Sequence, residues 1–186
     1  MGRAVVWALA LSVAVAVAAG APEAARAAGL SGVAGVYKYR FQNGAVGGET
    51  YVSEDILEIV PVDADRAYVR LALQFYNGHE CAISGIAHLK GGDLVYGTTF
   101  PGSGDRCRLV LRPTAKGISI FEDENGACRA STCGARGGYG YAAGPDQNFT
   151  FARRRPIRYL DRLKASAEFK AALSEDAGAP LGAPKP

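Results

Sequence analysis

The chain has 186 residues and a formal net charge of only +3, with 21 basic against 18 acidic side chains. So small an excess excludes a function built on electrostatic capture of nucleic acid. A hydrophobic content of 48% with 21% charged residues also excludes a disordered or fibrous chain.

At the N-terminus, Arg3 is the one charge before an apolar run from Val5 to Ala19. Small residues and two Ala-x-Ala sites follow, Ala16-Val17-Ala18 and Ala25-Arg26-Ala27. A short basic region, an apolar stretch and such a site make up a bacterial-type secretory signal. Residues 1–27 are therefore expected to be removed, and the mature chain to be periplasmic or secreted. The run is shorter than the about 20 apolar residues of a spanning helix, so no integral membrane span is expected. Removal leaves 19 basic and 17 acidic residues, unevenly placed: residues 28–100 carry 5 and 8, residues 101–186 carry 14 and 9.

Residues 28–175 suit a single domain. In Ala67-Tyr68-Val69-Arg70-Leu71-Ala72-Leu73-Gln74-Phe75 the odd positions are all apolar, which predicts a half-buried strand with its odd face inward. Cys81-Ala82-Ile83 to Leu89 repeats the pattern, and so does Cys107 to Leu111. Turn sequences such as Asn77-Gly78, Gly91-Gly92-Asp93 and Pro101-Gly102-Ser103-Gly104 separate the runs. Strands are expected near 35–41, 56–62, 66–76, 81–89, 93–99, 106–112, 117–122 and 147–152. Such spacing predicts an all-β fold, an antiparallel eight-stranded meander closing as a small barrel; a β-sandwich is the alternative. Pro156 then opens a C-terminal helix at about 156–174, with Ile157, Leu160, Leu163 or Lys164, Ala167 and Ala171 on one face. Residues 176–186, rich in Gly, Ala and Pro, read as a disordered tail.

Four cysteines, Cys81, Cys107, Cys128 and Cys133, survive removal of the signal. An even count in an oxidising compartment predicts two disulfides. In a meander all four fall near one rim, and Cys81–Cys107 with Cys128–Cys133 is the preferred pairing, although strands two apart in a flat sheet sit about 9.5 Å apart, beyond disulfide reach. Metal binding is not expected: the closest pair is C-x4-C, and His79 and His88 are the only histidines. No cofactor is expected either.

The Gly-rich segment from Cys128 to Gly144 presents Arg136, Tyr139 and Tyr141, residue types that anchor interfaces. The competing reading is that its glycines allow tight turns and its tyrosines cover the core. Cys133-Gly134-Ala135-Arg136-Gly137-Gly138-Tyr139 resembles, in a loosened form with Cys133 at the serine position, the Ser-Gly-x-x-Tyr loop of the bacterial periplasmic lysozyme inhibitors. Gly35-Val36-Tyr37 also matches their Gly-x-Tyr opening. The resemblance implies a small exported β-barrel that inserts a loop into a partner's cleft. The expected function is therefore non-enzymatic recognition of an envelope or extracellular protein, such as a lysozyme, through a disulfide-pinned loop. A lipocalin-like carrier of a small apolar ligand is the first alternative. A hydrolase is the second, disfavoured because no Gly-x-Ser-x-Gly marks a nucleophile and a bonded Cys81 cannot serve as one.

Overall fold

The computed structural model describes residues 29–100, 104–123, 125–140 and 149–178. The expected signal and Tyr141 lie outside these residues, as does the tail from 179. Strands β1 (Gly35–Gly44), β2 (Thr50–Pro61), β3 (Arg66–Gln74), β4 (Glu80–Lys90), β5 (Asp93–Thr99), β6 (Arg106–Pro113) and β7 (Ile118–Glu122) follow in order, each antiparallel to the last. They form one sheet, curled into a half-barrel, with a short β8 (Arg154–Arg155) beside β1. The meander is the one predicted by period-two alternation. At Gly91-Gly92 the hairpin turns on two residues, both at positive φ (59° and 87°), the geometry that matches strand twist and that glycine adopts without strain.

Inward-facing side chains fill the concave side: Tyr37, Leu57, Ile59, Val69, Leu71, Leu94, Leu109, Leu111 and Ile118 are all buried. Two ends need covering. At the end where β1 and β7 begin, helix α1 (Gly29–Val33) drops Leu30 and Val33 into the core, and the Tyr37 hydroxyl donates to the Val33 carbonyl at 2.7 Å. The expected strand at 147–152 takes another form there. Thr150 bridges Gly117 beside β7, a 3-10 turn spans Phe151–Arg153, and Arg154–Arg155 pair with Val36 and Tyr37 of β1. A segment that must cross from one edge of the half-barrel to the other cannot run straight along either. It links the two edges at this end only.

The C-terminal helix packs on the outer face and is broken in two, α3 (Leu160–Ala165) and α4 (Ala167–Gly178). At the break the Ser166 hydroxyl donates to the Leu163 carbonyl and accepts from the Phe169 amide. The break shifts the contact face. Leu163, Phe169 and Ala172 pack on Val60, Tyr68 and Ile86, while Ala167 and Ala171, expected on that face, are exposed. α4 also runs through residues 176–178, which composition had assigned to the tail.

Near its end, Asp176 is 9% exposed and accepts from Arg66 Nη1 at 2.9 Å, with His88 Nε2 at 2.6 Å. Burial pushes its carboxyl up, but the His88 and Arg66 hydrogen bonds outweigh this and hold it below the ordinary 3.8. A carboxylate with a depressed folded-state pKa stabilises the fold above its unfolded pKa, and the contribution is lost as pH falls through the lower, folded value. Asp176→Asn should therefore cost about 1 kcal/mol near pH 7, discounted for the partial exposure of Arg66. In thermal melts the difference from the parent should shrink below pH 3.8; a difference constant with pH would refute the ion-pair account.

Candidate functional site

All four cysteines lie at the rim opposite α1, as the meander requires. Their pairing is Cys81–Cys133 and Cys107–Cys128, which corrects the preferred pairing. Cys128 and Cys133 cannot meet: they lie in and just after helix α2 (Ala127–Thr132), where positions five apart point away from each other. Cys81 and Cys107 belong to β4 and β6, with β5 between them. The bridges are possible because β5 pairs with β4 only over Ala87–Lys90. Above that register the edge of β4 is open. Cys133 occupies it as an isolated bridge to Cys81, with the Gly134 amide donating to the Glu80 carbonyl at 2.8 Å. Helix α2 is thus pinned to two non-adjacent strands and covers the rim.

The loop after α2 lies close against the disulfide. A Cβ at Gly134 would sit 2.7 Å from His79 Nδ1, and one at Gly137 would sit 2.6 Å from Cys81 Sγ. Gly137 permits a close approach of backbone to the sulfur bridge and Gly134 a close approach to the His79 ring, and a larger residue at either would shift the loop or its neighbour.

Of the residues singled out for partner contact, Arg136 is exposed on this loop. Tyr139 is not. It is 5% exposed and belongs to the core cluster, where its hydroxyl and that of Thr132 share a hydrogen bond at 2.5 Å. Burial pushes its phenol up to about 12. The core-covering reading of the loop's tyrosines therefore describes Tyr139, and Tyr141 lies outside the described residues.

The aromatic residue beside Arg136 is Tyr76, from the β3–β4 connection, with the Arg136 guanidinium 5.6 Å from its ring centre. The Tyr76 hydroxyl donates to the Ala45 carbonyl at 2.7 Å, so the ring is fixed to the β1–β2 turn. Asn77 takes a left-handed φ of 60°, and its side-chain oxygen accepts from the Val46 amide. The Tyr51 hydroxyl accepts from the Gly78 amide at 2.8 Å. Three loops therefore meet in one ledge: the β1–β2 turn, the β3–β4 turn and the disulfide-pinned loop. The ledge leaves Val46 70% and Tyr76 41% exposed. Sequence reasoning missed Tyr76 and Val46. The available signal was an outward-parity tyrosine directly before Asn77-Gly78, where a side chain has no strand neighbour to cover it.

All four cysteines are bonded, which removes them as nucleophiles or metal ligands. Among the described residues no group of three or more His, Cys, Asp or Glu is placed to hold a metal ion, and no helix is long and apolar enough to cross a membrane. Two disulfides fit an exported protein. No family model, curated protein or solved structure matches the chain.

Proposed function

We propose that this is an exported recognition protein that engages another macromolecule through the ledge formed by Val46, Tyr76 and Arg136. The observation that carries the reading is the Arg136–Tyr76 stack, exposed yet held by a disulfide on one side and by backbone hydrogen bonds on the other. Arginine and tyrosine presented in a preordered geometry lose little freedom on binding, which is why they dominate interface energetics. The packed interior favours surface recognition over a lipocalin-like carrier, because Leu57, Val69, Leu71 and Leu109 fill the space a ligand would need.

Replacing Tyr76 and Arg136 together with alanine should reduce partner affinity by about 2 kcal/mol or more. The same change should alter folding stability by only about 0.5 to 1 kcal/mol, because both side chains are solvent-facing. Affinity is read in a pull-down from envelope extract, and stability in denaturant unfolding of the same variant. Unchanged capture by a folded double variant would refute the ledge.

The lysozyme-inhibitor reading rests on the exposure of Arg136 in the loop that carries the resemblance. It requires the protein to slow cell-wall lysis by a lysozyme, and the Arg136→Ala variant to slow it less. Failure against every lysozyme type would remove that partner and leave the ledge to be tested by the pull-down.

A further inference from the structure

Most basic side chains of strands β1 to β6 are paired. Lys38 and Arg40 reach Glu54, Arg66 reaches Asp63 and Asp176, Arg70 reaches Glu58, Arg108 reaches Asp123 and Arg112 reaches Asp93. Residues 153–164 differ. They hold six basic residues and one acidic residue, Asp161. Among the described residues, Arg155, Arg158, Arg162 and Lys164 are exposed and have no carboxylate at ion-pair distance.

Their backbone is not loose. Arg155 donates to the carbonyls of Ala152 and Arg154, and the Arg162 guanidinium lies 5.7 Å from the Tyr159 ring centre. Tyr159 in turn donates to Glu58 of the sheet. Ile157, Tyr159 and Leu160 are partly exposed between these charges.

The segment lies at one end of the half-barrel. Arg154–Arg155 pair with Val36 and Tyr37 at the start of β1, and Arg154 donates to the Gly32 carbonyl of α1. We propose that this end of the molecule rests on an anionic phospholipid surface, with Arg155, Arg158, Arg162 and Lys164 facing the phosphate headgroups. The four cations are spaced over ten consecutive residues, 155–164, which suits a diffuse field of phosphates better than one bound anion. The ledge lies at the other end of β1, about 30 Å away at about 3.3 Å per strand residue, so a chain resting on this end presents the ledge to the aqueous side.

The test is co-sedimentation of the purified chain with two kinds of vesicle. One is phosphatidylcholine alone, the other phosphatidylcholine containing one third phosphatidylglycerol. Binding is expected to the anionic vesicles only and to weaken at high salt. The variant Arg155→Gln/Arg158→Gln/Arg162→Gln should partition about a hundredfold less, at about 1 kcal/mol for each basic side chain near an anionic surface. A control of equal charge change at the opposite rim, Arg106→Gln/Arg108→Gln/Arg129→Gln, should lose less than a tenth as much. Equal binding to neutral vesicles would overturn the proposal in favour of apolar adhesion. An equal loss in the control would reduce it to net charge. Displacement by inorganic phosphate at constant ionic strength would replace the lipid surface with a free-phosphate site. Should the triple variant melt far below the parent, the salt and vesicle dependence of the parent decides.

Discussion

Replacing Cys81 and Cys133 together with alanine is expected to lower unfolding free energy by about 4 kcal/mol, the loop-closure value for cysteines 52 residues apart. The same change at Cys107 and Cys128, 21 residues apart, should cost about 3.4 kcal/mol. Both are large against the about 5–15 kcal/mol that holds an ordinary domain together. The first pair should also weaken partner binding, because Cys133 anchors the loop that carries Arg136. Denaturant unfolding with and without reductant reads the stability. Peptide mapping under non-reducing conditions reads the pairing and should recover Cys81 with Cys133 and Cys107 with Cys128. Recovery of Cys81 with Cys107 would refute the geometry of the rim.

The second large effect lies beneath the C-terminal helices. Glu58 is 1% exposed, accepts from Arg70 Nε at 2.7 Å and is capped by the Tyr159 hydroxyl. Arg70→Met leaves a buried carboxylate with only the tyrosine as donor, and should cost about 3 kcal/mol or more. Adding Glu58→Leu should recover much of that loss, since an apolar pair of similar volume needs no desolvation of charge. Equilibrium unfolding of the two single variants and the double variant measures the coupling. A single Arg70→Met variant as stable as the parent would show that the pair contributes nothing.

The strands were legible because one face of each is buried and period-two alternation records that directly. Ala67 to Phe75 shows this, with every odd position buried or half-buried. The first half of β2, Thr50 to Asp55, was not legible. Its inward residues are Ser53 and Asp55, polar yet almost fully buried. They are satisfied by partners distant in sequence: Ser53 by the Asn43 side chain, Asp55 by the Gln74 amide. Polar residues with such partners carry no hydrophobic signature. The common rim of the cysteines followed from strand parity alone. Their pairing did not, because it depends on where β5 separates from β4, a property of twist and of the Tyr96 ring packed against Gly85. Of the site, Arg136 was legible as a charged residue among glycines. Tyr139 was misplaced because a tyrosine beside glycines looks the same whether its ring faces water or core. The ledge as a whole was invisible, since its three loops are brought together only by the curl of the sheet.

The nested order of the two bridges, one enclosed within the other along the chain, bears on how the molecule is made. A polypeptide that emerges N-terminus first offers Cys81 and Cys107 to an oxidant before Cys128 or Cys133 has appeared. An enzyme that joins cysteines in order of emergence would produce the wrong bond, and the two correct partners would arrive later to find it closed. Correct maturation then requires either that oxidation wait for the last third of the chain or that a disulfide isomerase reopen the early bond. Cells able to oxidise thiols but unable to reshuffle them should therefore accumulate this protein in a mispaired form, however favourable its native state.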